Sequence, residues 1–118
     1  MTISPISDLA SSALRAALDG LDRRQQAIAA NIANLETPGY LAEEVRFEDS
    51  LRAAIAAGDP AQSSVTVDRS LAPTRLNGSN VNIDMEVLAA SENVLRQRLA
   101  IQGLNAKYQL LRTAITGR

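Results

Sequence analysis

The chain has 118 residues, with 12 Lys and Arg against 13 Asp and Glu, and it contains neither histidine nor cysteine. A net charge of −1 lacks the basic excess expected of a protein that coats nucleic acid. Without His or Cys, Ser-His-Asp and Cys-His catalysis, zinc chemistry and a disulfide framework are all excluded.

Apolar residues make up 46% of the chain, but its only aromatics are Tyr40, Phe47 and Tyr108. A composition this rich in Ala and Leu and this poor in rings points to helices packed side by side. Residues 1–13 show neither the basic nor the apolar region of a secretory signal, Arg15 being the first basic residue. No apolar run reaches the roughly 20 residues that span a bilayer. A soluble chain made in the cytoplasm is expected.

The first helix is expected over residues 8–34, with Ser7 or Asp8 as its N-cap. Leu14, Leu21, Ile28 and Leu35 recur every seven residues, with Leu18, Gln25 and Ile32 four positions after the first three. That is the seam of a left-handed coiled coil, interrupted by one polar residue, Gln25. Gly20 is a soft spot within it, costing about 1 kcal/mol against Ala. Thr37-Pro38-Gly39-Tyr40 stops the helix, because Pro38 presets φ and Gly39 accepts a positive one, as a type II turn requires.

Phe47, Leu51 and Ile55 predict a short helix over residues 47–57, ended by Gly58-Asp59-Pro60. Residues 58–81 read as irregular and mobile, with one short strand expected over residues 63–67 and a turn at Asn77-Gly78-Ser79-Asn80. The last helix starts near Asp84. Val87, Val94, Ile101, Tyr108 and Ile115 recur every seven, while Ala90, Gln97, Leu104 and Leu111 lie three later. From Arg96 onward there are five basic residues, among them Arg98, Lys107 and Arg112, and no acidic one. Such a run suits a helix C-terminus.

The expected fold is mainly α. Two long terminal helices form a coiled-coil-like hairpin, with a short middle helix and an irregular middle region. One domain covers residues 1–118, divided as 1–36, 37–83 and 84–118. The expected packing sets Leu14, Leu18, Leu21, Ile28 and Ile32 against Val94, Ile101, Leu104, Tyr108 and Leu111. Leu88, Leu95 and Leu99 form a second stripe with no partner in a lone hairpin. Burial is worth about 25 cal/mol per Å² and ordering costs about 1–2 kcal/mol per residue, so two helices alone are near break-even. The pattern asks for assembly.

The segment Asn31-Ile32-Ala33-Asn34-Leu35-Glu36-Thr37-Pro38-Gly39-Tyr40 resembles the N-terminal signature of flagellar basal-body rod proteins. Asp22-Arg23-Arg24-Gln25-Gln26, the stretch from Asn77 to Glu86, and Glu92-Asn93 with residues 107–115 are similar to the proximal rod subunit within that family. Leu41 departs from it, standing where the family commonly carries a basic residue.

The resemblance implies a structural subunit that polymerises into the hollow shaft transmitting torque for motility. Its implied partners are further copies of itself, rod paralogues, the rod-to-ring junction protein, the inner-membrane ring and the flagellar type III export apparatus. It implies residence in a basal-body rod spanning the periplasm, reached without a cleaved signal peptide. It also turns Asn31, Asn34, Thr37, Pro38, Gly39 and Tyr40 from a helix stop into an assembly motif, and Leu88, Leu95 and Leu99 into an intersubunit stripe.

No catalytic, cofactor or metal site is expected, and no nucleic acid or small-molecule substrate. Glu43/Glu44, Glu48/Asp49 and Asp84/Glu86 fall at turns and helix starts, where acids are expected anyway. The alternative is a helical-hairpin adaptor or membrane-surface module. It is disfavoured because Asp8, Asp19 and Asp22 balance Arg15, Arg23 and Arg24 on the first helix.

Overall fold

The computed structural model describes the backbone of residues 5–117 and the side chains of residues 9–117. Arg118, the last of the expected basic run, lies outside the described residues. Helix α1 spans Pro5–Ala33, β1 spans Glu43–Arg46, α2 spans Glu48–Ala56, β2 spans Thr66–Arg69 and α3 spans Ile83–Thr116. A single 3-10 turn at Pro60–Gln62 lies between α2 and β2. The molecule is a slat of 63 × 28 × 14 Å.

Helix α1 already includes Ser7 and Asp8, so neither stands at its N-cap. The proline at Pro5 suits a first helical turn, where its missing N–H leaves no intrahelical bond unmade. At the other end Asn34 N–H bonds back to Ala30 O, and Tyr40 N–H reaches Thr37 O at 3.2 Å, closing the Pro38-Gly39 turn. Gly39 has φ +74°, as that turn demands.

Strands β1 and β2 pair antiparallel with Val45 opposite Val67. Within residues 58–81 only Pro60–Gln62 and Thr66–Arg69 are regular, so the stretch is largely irregular, as its composition suggests. The second strand lies three residues beyond the expected start and ends at Arg69. The loop after it is pinned by side chains, since Asn80 Nδ2 donates to Ser70 O and Ala72 O. Arg75 donates to Val81 O and Leu35 O, both at 2.6 Å. Hydrophobic periodicity carries no trace of such bonds, because they run from side chain to backbone.

The core lies where α1, β1 and α2 meet: Leu21, Ala27, Val45, Phe47 and Leu51 form one buried cluster. Gly20 is part of it. A Cβ there would stand 2.5 Å from the Phe47 ring, so the glycine is the seat for the ring. The sequence shows only a weak point in a helix at that position.

Helix α3 packs antiparallel along α1. Asn82 caps it, its Oδ1 accepting from the backbone N–H groups of Asp84 and Met85 at 3.0 and 3.3 Å. Gly117 closes it at φ +71°. Of the expected seam, Leu21 and Ile28 are buried and Leu14, Leu18, Val94, Leu104 and Leu111 half-buried. Ile32, Ile101 and Tyr108 instead remain 37%, 47% and 44% exposed.

The α3 side of the seam is set by Ala90, Asn93, Gln97, Ala100, Leu104, Lys107 and Leu111, all buried or half-buried. Their alternate spacing of three and four defines a row beside the expected one. Small residues let the helices close: the Leu14 methyl groups lie 3.5 Å from where a Cβ on Gly103 would stand. The bulkier Val87, Ile101, Tyr108 and Ile115 flank this row.

Candidate assembly site: a polar joint and an open helix face

The joint begins with Asn31, which is only 1% exposed. Its Oδ1 accepts from Glu43 N–H at 2.8 Å and its Nδ2 donates to Glu43 O at 3.0 Å. One amide side chain thus substitutes for a neighbouring strand along β1. The same Oδ1 accepts from the Tyr40 hydroxyl at 3.2 Å. Asn34 bonds back to Ala30 O at 2.8 Å and accepts from the Thr37 hydroxyl at 3.1 Å.

The turn then docks on the loop before α3. Gly39 N–H donates to Asn77 O at 2.8 Å, and Asn80 Oδ1 accepts from Ala42 N–H at 2.7 Å. A Cβ on Gly78, itself at φ +82°, would lie 3.2 Å from the Gly39 Cα. Two turns meet there glycine to glycine. Arg69 stacks on the Tyr40 ring at 5.3 Å and caps the joint from outside. Ser79 and Val81 are buried beneath it.

These bonds are all made within one chain. Asn31 and Tyr40, expected to serve an assembly motif, bond within the chain: Asn31 ties α1 to β1 at Glu43, and Tyr40 O accepts from Asn80 N–H of the loop that launches α3. Thr37, Pro38 and Gly39 remain on the surface.

A second fastening lies one face over. Arg24 forms an ion pair with Glu48 at 2.5 Å, donates to Val45 O at 2.8 Å and lies 4.8 Å from the Phe47 ring centre. The Arg24 hydrogen bond, opposed by partial burial, brings the Glu48 carboxyl down to about 2. Arg96 of α3 joins the same carboxylate at 3.8 Å, tying α3 to the start of α2. Glu86 is shifted the other way: burial raises its pKa, an Asn31 hydrogen bond opposes the rise, and the Glu44 charge adds to it.

Halfway along the seam, Asn93 is buried and donates to Leu21 O and Gln25 Oε1, both at 2.9 Å. Its Oδ1 has no hydrogen-bond partner among the described residues. Gln25, the polar interruption visible in the heptads, is thereby matched. Asn93 is legible only as part of the family resemblance and Asn80 only as part of a turn and of that resemblance, while Gly20 reads as a weak point and Arg75 gives no sign of its role.

The outer face of α3 is the opposite case. Leu88, Leu95 and Leu99 are 60%, 59% and 67% exposed. Arg98 and Arg112 are exposed and form no ion pair among the described residues, whereas Lys107 sits half-buried in the seam. Among the described residues, no helix is long and apolar enough to cross a membrane, and no three acidic side chains gather as a metal site.

A hairpin of long helices, saturated with polar bonds at one end and bare along an outer apolar face, defines a structural subunit built for assembly. Residues 9–40 match the family model described as flagella basal body rod protein. The flagellar basal body rod protein FlgB of Bacillus subtilis is 30% identical, covering 88% of this chain and 91% of that protein. The FlgB protein of Cereibacter sphaeroides is 30% identical over 81% of this chain and 85% of its own length. That of Escherichia coli K12 is 27% identical over 72% and 77%. The chain belongs to the flagellar basal body rod protein family.

Proposed function

We propose that the chain is a structural subunit of the proximal rod, polymerising with further copies and with rod paralogues into the hollow shaft that carries torque. The observation that carries this reading is the exposed Leu88, Leu95 and Leu99 face on a chain whose joint is complete. Burying a leucine is worth about 1.5–3 kcal/mol, and an exposed ion pair about 0–1 kcal/mol. The apolar stripe therefore supplies most of the affinity. Contacts that repeat head to tail without closing give an open filament rather than a ring.

On this reading the rod-to-ring junction protein and the inner-membrane ring bound the stack. The chain reaches it through the flagellar type III export apparatus, without a cleaved signal peptide, and lodges in the periplasm-spanning rod. Transmission of torque needs stiffness, and stiffness comes from side-by-side helices repeated along the shaft. In cells lacking the native copy, a Leu95→Asp chain is expected to be exported yet absent from purified basal bodies, while Arg98→Ala chains enter them. Normal incorporation of Leu95→Asp would overturn the assignment of the stripe.

A further inference from the structure

Helix α3 is divided by charge. Its acidic residues, Asp84, Glu86 and Glu92, all lie in the first third, and from Arg96 onward every charged residue is basic. Asp84, Glu92, Arg98 and Arg112 are exposed, and none forms an ion pair among the described residues. At 100° per residue, Asp84 and Arg98 share the face turned away from α1, with Glu92 and Arg112 on its two flanks.

The apolar surface of that face is divided as well. Leu88, Leu95 and Leu99 rise from its first half, while in the second half the one comparably exposed leucine, Leu110, stands on the Glu92 flank. The middle of the second half is low, with Gln102, Ala106 and Gln109 exposed on it. One half of the helix is a leucine ridge beside acids, and the other is a low shelf beside bases.

Resting on the rod-subunit reading, we propose that this face takes a second copy of the chain, pointing the same way and staggered by about five helical turns, about 27 Å. At that offset the leucine ridge of one copy lies on the shelf of the next, Leu88 level with Ala106. Asp84 comes within reach of the next copy's Arg98 near the centre of the contact, and Glu92 of its Arg112 on one flank. A copy set in register would place acid on acid and base on base. An antiparallel copy that matched Asp84 with Arg112 would centre on residue 98, bringing the two Arg98 side chains together. The charge order selects direction and stagger, and the leucines supply adhesion.

Because the chain contains no cysteine, single thiols report this geometry directly. One sample carries Glu92→Cys, a second Arg112→Cys and a third Arg98→Cys, each in the full chain. Oxidation of the first two mixed at high concentration is expected to give a 92–112 heterodimer as the main product. The Arg98→Cys chain alone is expected to give at least tenfold less homodimer.

Charge reversal provides the second measurement, in Asp84→Cys chains oxidised with Arg98→Cys chains. Glu92→Arg in the former lowers the heterodimer yield at least fivefold, and Arg112→Glu in the latter restores it. A dominant Arg98→Cys homodimer would overturn the stagger in favour of an antiparallel or in-register pair. No cross-linking, or reversal without rescue, would overturn the choice of a second copy. Either result leaves the rod-subunit reading standing if the unmodified chain still enters basal bodies while Leu95→Asp does not.

Discussion

The joint and the outer face of α3 are built by opposite rules. At the joint, Asn31, Asn34, Arg75 and Asn80 bond backbone groups of the same chain, the Tyr40 hydroxyl bonds Asn31, and the elements are held at fixed places. Along α3, Leu88, Leu95 and Leu99 touch little, and Arg98 and Arg112 have no ion pair among the described residues. Damage to the joint should appear first in the stability of the single chain. Damage to the outer face should leave the chain folded and appear only in assembly. A polar network is suited to the first task because buried hydrogen bonds fix geometry, and an apolar stripe to the second because it adheres only once covered.

The largest effect on the single chain is expected from Asn31→Leu. It leaves the N–H and C=O of Glu43 without their partner, at about 1–3 kcal/mol for each buried group. A loss of about 3 kcal/mol in urea unfolding is expected, with β1 detached from α1. A loss below about 1 kcal/mol would show that the joint is not held by this amide.

Next comes Gly20→Val, which drives a side chain into the Phe47 ring. A core that cannot move aside loses about 1–3 kcal/mol, more than the roughly 1 kcal/mol that Gly sacrifices as a helix former. A stabilised Gly20→Val chain would mean that the ring has another seat.

Gly39→Val tests the turn alone, since nothing lies within 4 Å of a Cβ there and only its φ of +74° resists. About 1–3 kcal/mol is expected, and less for Gly39→Asn, because asparagine tolerates the left-handed region. Equal losses for the two would point away from backbone strain. The motility of cells carrying Gly39→Val should fall with it, through faulty rods.

The smallest effect is the acid dependence of Glu48. Its folded pKa of about 2 lies below the ordinary 4.5, so its contribution is present above pH 4.5 and is lost as pH falls towards 2. With the carboxylate nearly half exposed, screening holds this to about 1 kcal/mol. Glu48→Gln should remove that slope from a pH series of unfolding midpoints. An unchanged slope would assign the acid sensitivity elsewhere.

The two regions also differ in how far the sequence disclosed them. Heptads mark both long helices, and Pro38-Gly39 marks the turn that ends α1, because periodicity and steric punctuation are local properties. The row on α3 was displaced by its own bulk. Val87, Ile101 and Tyr108 repeat as clearly as any seam, yet the closer approach allowed by Ala90, Ala100 and Gly103 placed the contact one row over. The pairing of β1 with β2 is non-local: β1 does not stand out alone, and the strand expected over residues 63–67 overlaps β2 only at Thr66 and Val67. The joint depends on asparagines and an arginine whose partners lie up to 40 residues away, a range no pattern of hydropathy spans. The Leu88, Leu95 and Leu99 stripe was legible in advance because exposure is what remains once the seam is assigned.

The central claim is that folding and assembly reside in separate surfaces, and one paired measurement tests it most directly. Urea unfolding of the purified chain and its recovery in isolated basal bodies should be measured side by side for Leu95→Asp. An unfolding free energy within about 0.5 kcal/mol of the parent, as for surface changes generally, together with loss of the chain from basal bodies, is the expected result. A chain destabilised by several kcal/mol, or one recovered in basal bodies at the parental level, would contradict it.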